Sequence, residues 1–192
     1  MRGGGTTRER IGRAAMRLFV EKGVDGTGIR DIARAAGLSE GALYRHYAGK
    51  DELVWRLFAE GFEGFARELE RLAAAEPRLK GKIAAMVAGF AALFDADSLL
   101  FRFLLLVQHG QLERVGPGMA NPVETVRAVV AQGMRTGEIP RGDPDLAAAM
   151  VMGIILQTAT FKAYGRIRRP LGALAPTLAR ACWKVLKTDQ RG

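Results

Sequence analysis

Cysteine is almost missing from this sequence. Cys182 stands alone in 192 residues, so no disulfide can form within the chain. Histidine is nearly as scarce, with only His46 and His109. These three residues lie far apart, and no metal-ligand cluster or nucleophile–base spacing stands out among them. A phosphate loop and a dinucleotide fingerprint are both lacking. Runs that alternate apolar and polar residues are lacking too, which argues against strands. No enzymatic activity, metal or cofactor is expected. The apolar runs Ser98–Val107 and Leu146–Phe161 are short for a membrane span; the first contains Arg102 and the second covers sixteen residues. The first ten residues hold no apolar stretch of a signal peptide. A cytoplasmic protein without a membrane partner is expected.

What the chain does hold is positive charge and apolar helix faces. It carries 29 Lys+Arg against 20 Asp+Glu, a net charge of +9, and 48% of its residues are hydrophobic. Residues 1–50 contain ten basic and five acidic side chains, a net of +5, and the other 142 contain nineteen and fifteen, a net of +4. Basic charge gathered at one end is the footprint of phosphate binding. A general arginine bias of composition is the plainer alternative.

Cap signals and helical periodicity divide the chain into about nine helices. Thr6 and Glu9 have capping-box spacing ahead of a first helix that ends near Lys22 and Gly23. Ile29, Ile32, Ala33 and Ala36 put an apolar face on a short second helix, which Gly37 terminates. Ser39 caps a third, Glu40 to about Tyr47, with Leu43 and Tyr47 on its buried side. A fourth runs from Lys50 to about Ala74, a fifth from Leu79 to Phe94, and a sixth from Ser98 to Gln111. Asn121-Pro122 and Asp143-Pro144 open two more helices, which end near Gly137 and Tyr164. Arg166–Pro170 is a basic linker before a last helix that ends at Lys187. The fold class is all-α. A helix, a glycine turn and a second helix over Thr27–Glu52 make a helix-turn-helix, whose second member enters a DNA major groove.

On these residues the sequence resembles the TetR family of transcriptional regulators. The resemblance rests on Arg30-Asp31-Ile32-Ala33, Ala36-Gly37-Leu38-Ser39, Glu40-Gly41-Ala42-Leu43-Tyr44-Arg45-His46-Tyr47 and Lys50-Asp51-Glu52-Leu53, with Ala14, Leu18, Phe19 and Gly23 before them. It covers about a quarter of the chain. It implies an N-terminal three-helix bundle with the helix-turn-helix over residues 1–50, and a helical effector-binding and dimerisation domain over 51–192. It further implies a repressor that binds a pseudo-palindromic operator in double-stranded DNA as a homodimer and is released by a small apolar or amphipathic effector. The alternative is a helical ligand-binding or lipid-handling protein, which would leave Thr27–Leu53 without a purpose.

Expected DNA contacts follow residue by residue. Gly41 and Ala42 let the backbone approach the groove, and the Ala42 methyl suits a thymine methyl. Arg45 reads a guanine edge, meets a phosphate or stays solvated. The resemblance gives Tyr44 and His46 phosphate contacts, with Ser39 and Glu40 beside them at the helix start. Lys50 couples its charge to a helix N-terminus. Arg30 either does the same or pairs with Asp31 or Glu52. Gly28 departs from the family's Ser or Thr, and Thr27 is a possible substitute for the missing hydroxyl. Arg2 and Arg8 either reach a minor groove or belong to a tail.

The resemblance also implies an effector cavity among the middle helices. Phe62, Phe65, Met86, Phe90, Phe101, Leu104, Met134, Met152 and Phe161 are its expected apolar lining. Gln108, His109 and Gln157 are candidates to orient a ligand, and His109 reads equally well as a surface residue. For the dimer the expected surface is Met150, Gly153, Gln157 and Thr160 on helix eight, with Leu178, Cys182 and Val185 on helix nine. The other reading packs these stripes only within the subunit.

Overall fold

The computed structural model describes residues 6–188. Among them the regular elements are all helical: α1 (Thr7–Lys22), α2 (Ile29–Ala35), α3 (Glu40–Tyr44), α4 (Lys50–Ala74), α5 (Leu79–Ala96), α6 (Ser98–Gln111), α7 (Pro122–Arg135), α8 (Pro144–Ala163) and α9 (Ala175–Lys187). Short 3-10 turns follow α6 and precede α9. Arg2 lies outside the described residues. The chain divides into two compact units, one of residues 1–61 and 99–117, the other of 62–98 and 118–192.

Local chemistry explains the first unit's helix ends. The Glu9 amide donates to Thr6 Oγ1 at 3.2 Å and the Thr6 amide to Glu9 Oε2 at 2.7 Å, a closed capping box. At the end of α2, Gly37 takes φ +66°, its amide donates to Arg34 O at 3.0 Å, and Leu38 N donates to Ala33 O at 2.9 Å. This pairing is a Schellman turn, and it favours glycine at position 37. Ser39 Oγ accepts from Ala42 N at 3.2 Å and starts α3. That helix ends at Tyr44, three residues before the expected Tyr47, because the amides of His46 and Tyr47 both turn back to Leu43 O. Ile11, Ala15, Phe19, Ile32, Leu43, Leu53, Phe58 and Phe103 form the core here.

The unit is larger than the expected 1–50, because α6 and the first turns of α4 belong to it. Phe103 of α6 stacks on Phe19 of α1 with ring centroids 5.9 Å apart. A Cβ at Gly61 would lie 3.0 Å from Leu100 and 3.3 Å from Leu104, so α4 and α6 approach closely there. Position 50 is therefore the start of a helix and not a boundary between compact units.

In the second unit α5 packs on α7 and α9, and α8 packs on α7 and α9. Its core includes Leu69, Ile83, Phe90, Val130, Val151, Cys182 and Leu186. Two carboxylates tie it together at helix ends. The Glu138 side chain accepts from the Leu79 amide at 2.9 Å and so caps α5 from a distant loop. Asp95 accepts from the amides of Leu171 and Gly172 at 3.0 and 2.8 Å.

α8 is 20 residues long, against the sixteen of its apolar run, and is long and apolar enough to cross a bilayer by length and composition. Ala147, Ala148, Val151 and Ala159 place one side of it in the protein core.

Two helical glycines have opposite requirements. A Cβ at Gly133 would stand 2.2 Å from Leu79 Cδ2, and Leu79 is itself buried, whereas a Cβ at Gly64 meets nothing within 4 Å. Gly133→Ala should therefore lower stability by about 1–3 kcal/mol through overpacking. Gly64→Ala should raise it by about 0.5–1 kcal/mol through helix propensity. Urea unfolding midpoints of the two variants check both signs.

Candidate nucleic-acid interface and ligand cavity

The helix-turn-helix is built so that α3 turns one side inward and leaves the other bare. Leu43 and Tyr47 point into the core, and burial pushes the Tyr47 phenol above its usual pKa. Gly41, Tyr44 and Arg45 face outward, with Tyr44 52% exposed, and Ala42 and His46 are half-buried. A Cβ at Gly41 would meet nothing within 4 Å. Internal packing therefore does not require glycine there, while close approach by an outside surface would.

The neighbouring polar residues are committed differently from expectation. Arg30 Nε donates to Glu40 Oε1 at 2.9 Å, in place of the expected Asp31 or Glu52. This bond and the Glu40 charge raise the Arg30 pKa above its ordinary value. The pair joins the start of α2 to the start of α3, so Glu40 acts first as a brace.

Thr27 is buried, and its hydroxyl donates to Gly23 O at 2.8 Å. It cannot replace the hydroxyl that Gly28 lacks, because its oxygen lies under the α1–α2 turn. Gly28 is exposed and its amide donates to Asp31 Oδ2 at 3.2 Å. Lys50 Nζ donates to Val24 O at 2.8 Å, so one of its three protons holds the same turn. Ser39 spends one lone pair of its hydroxyl on the cap of α3. Arg8 is an exposed residue in the first turn of α1.

Sequence reasoning missed Arg10. Its guanidinium donates to Ala36 O at 2.6 Å and lies 3.2 Å from where a Cβ at Gly37 would sit. No local spacing announces a contact across 26 residues.

The second unit contains a narrow cavity of about 40 Å³ bounded by α4, α5, α7 and α8, with an apolar lining throughout. Phe65, Met86, Phe90 and Met152 line it as expected, and Val126 and Ile155 join them. Phe65 and Phe90 meet at 5.6 Å between centroids. The other expected residues stand elsewhere. Phe101, Leu104, Gln108 and His109 belong to the first unit, where Phe101 and Leu104 are core. Gln108 donates to Leu105 O of its own helix, and His109 is exposed. Phe62 is outside the lining, Met134 is buried elsewhere on α7, and Phe161 is 46% exposed. Gln157 is exposed and does not reach the cavity. Helical period alone cannot separate a void-facing aromatic from an ordinary core one.

Of the expected dimer residues, Gly153 and Gln157 are exposed and Met150, Thr160, Leu178 and Val185 half-buried. Thr160 turns its hydroxyl back to Leu156 O. Cys182 is a correction. It is fully buried with Sγ 3.9 Å from Val151 O, and burial pushes its thiol pKa up to about 11. It packs α9 on α8 within one subunit and cannot face a partner.

Residues 11–57 match the family described as bacterial regulatory proteins, tetR family. That segment holds the exposed α3 and its braces. The chain is a TetR-family transcriptional regulator.

The fatty acid metabolism regulator protein of Bacillus subtilis is 25% identical over 152 residues, 77% of this chain and 78% of the relative. Solved structures share the whole fold. The TetR-family regulator PfmR from Thermus thermophilus aligns over 98% of this chain and all of its own, at 24% identity and a TM-score of 0.75. The regulator FadR from Bacillus subtilis, solved in complex with stearoyl-CoA, aligns over 91% of this chain and 96% of its own, at 22% identity and a TM-score of 0.73.

A substitution at Gly41 tests folding and DNA binding separately, because a Cβ there meets no protein atom within 4 Å. Gly41→Leu should leave thermal stability unchanged or raise it by up to about 1 kcal/mol. The same variant should weaken duplex binding at least tenfold, read by fluorescence anisotropy. A variant that loses stability and binding together would make the glycine a packing requirement.

Proposed function

We propose that this regulator represses transcription by binding a pseudo-palindromic operator as a homodimer, and that an acyl-chain effector releases it. The observation that carries the reading is the bare face of α3, with Gly41, Tyr44 and Arg45 outward beside the basic N-terminal segment. Arg45 suits a guanine edge or a phosphate, and Tyr44 and His46 suit phosphate oxygens. Lys50 can add a phosphate contact with the protons that Val24 does not use.

For the dimer, support comes from the uncovered side of α8. Leu146 and Phe161 are 48% and 46% exposed, and Met150, Gly153 and Gln157 fall on the same helical stripe between them. Apolar side chains left open at this spacing are suited to a two-fold helix contact. Two copies would then present two copies of α3 to successive major grooves, about 34–36 Å apart.

For the effector, support comes from the wholly apolar cavity, together with the Bacillus subtilis relatives named for fatty acid metabolism and solved with stearoyl-CoA. At about 40 Å³ the cavity is far below the roughly 300–1,000 Å³ of ordinary ligand pockets. An acyl chain must therefore spread α4, α5, α7 and α8 to enter. Met86 and Met152 make that repacking easy. The ligand would bind the spread form better, and so draw the population away from the form that fits DNA. α4 runs unbroken from Lys50 to Ala74, which makes it the lever in this proposal.

The test mixes the protein with the duplex upstream of its own gene. Binding should be selective and fall by about a thousandfold or more between 50 and 200 mM salt. Long-chain acyl ligands should then release the duplex. A protein that ignores the duplex at low salt refutes the operator reading, and one that binds but is never released by acyl ligands refutes the effector reading.

A further inference from the structure

The second unit carries a concentration of positive charge that neither the operator reading nor the cavity lining uses. Residues 146–188 hold seven Lys and Arg and not one Asp or Glu. Four of the seven, Lys162, Arg166, Arg168 and Arg169, fall within eight consecutive positions at the α8–α9 loop. The three arginines are exposed, and none forms an ion pair among the described residues. Like charges packed this closely repel one another and gain when an anion joins them.

The loop is also fixed in place, which a merely solvated charge run does not need. It opens with Gly165 at φ +73°, the Gly165 amide on Lys162 O at 3.0 Å and the Arg166 amide on Phe161 O at 2.9 Å. In its middle, Lys162 Nζ donates to Arg168 O at 3.1 Å. Pro170 restricts the backbone next. At the far end the amides of Leu171 and Gly172 hold Asp95, so the carboxylate that reaches the loop is already committed to backbone donors. Tyr164 stands beside the arginines, 76% exposed. The result is a braced loop presenting three guanidiniums, whose planar forks match phosphate oxygens in pairs.

α8 connects this loop to the cavity. Val151, Met152, Ile155 and Leu156 line the cavity, and Lys162 follows Leu156 by six positions. Six residues of helix span about 9 Å.

We infer that the α8–α9 loop binds the phosphorylated head of an effector whose apolar chain enters the cavity. The inference rests on the acyl-chain reading of that cavity and adds the chemistry of the other end. A coenzyme A thioester and a phospholipid share this chemistry, and the test separates them.

The experiment compares the full-length protein with an Arg166→Gln/Arg168→Gln/Arg169→Gln variant by calorimetry. The ligands are palmitoyl-CoA, lysophosphatidate, coenzyme A without a chain, and dodecanol. The variant should bind palmitoyl-CoA about 10- to 100-fold more weakly and with a flatter salt dependence, while dodecanol binding stays the same. Stronger binding of lysophosphatidate than of palmitoyl-CoA, lost in the same variant, would support the loop and name a phospholipid as the source.

Equal affinity of the two proteins for palmitoyl-CoA would overturn the inference, and so would an equal loss for dodecanol. A variant that binds the operator more weakly without any effector would assign the loop to DNA and overturn it too. If neither palmitoyl-CoA nor dodecanol binds the wild type, the acyl-chain reading fails by itself. Salt-sensitive binding of coenzyme A to the wild type and not to the variant would still support the phosphate site, and its absence would refute it.

Discussion

Two backbone hydrogen bonds, Gly37 N–H to Arg34 O and Leu38 N–H to Ala33 O, set the angle at which α3 leaves α2. Arg10 closes the corner from outside by donating to Ala36 O, and Arg30 with Glu40 ties the two helix starts together. Five residues of α3 could not hold a helix by themselves, since an isolated helix of that length is unstable in water. The short helix exists because Ser39 caps it, Leu43 and Tyr47 bury its inner side, and the Gly37 corner fixes its entry. The outward face of α3 is positioned by that corner.

Polar side chains around the corner are therefore divided between two tasks. Thr27 and one proton of Lys50 hold the α1–α2 turn, and Arg30 with Glu40 links the starts of α2 and α3. Gly41, Tyr44 and Arg45 stay outward and uncommitted to the core. Bracing of this kind lowers the entropy lost when a surface binds, because the contacting groups are already placed. The second unit follows a related logic around an apolar interior: Glu138 caps the start of α5 from a distant loop, and Asp95 near the end of α5 holds the backbone that leads into α9.

Much of this was legible in the sequence, and the reason is local. Thr6 with Glu9, Asn121 with Pro122, Asp143 with Pro144, and Gly37 each satisfy helix-end groups within a few residues, so spacing alone announces them. The exposed Gly41-Tyr44-Arg45 face was legible for the same reason. Contacts across long stretches were not. Thr27 reads as a substitute for the hydroxyl missing at Gly28 until its own is found under the turn on Gly23, and Lys50 reads as a charge at a helix start until its ammonium is found on Val24 O. Phe101 and Leu104 looked like cavity lining because Phe and Leu are apolar, and the packing of α6 with α1 and α4 decided otherwise. Cys182 sat on the right helix, turned toward Val151.

The most direct test of the central claim follows backbone amide resonances of labelled protein while an operator duplex is added. The account predicts shifts confined to the stretch Ser39–His46 and to the first turns of α2 and α4, with the Gly37 corner unchanged in structure. Shifts confined to the second unit, or a duplex that leaves Gly41, Tyr44 and Arg45 unperturbed at low salt, would contradict it.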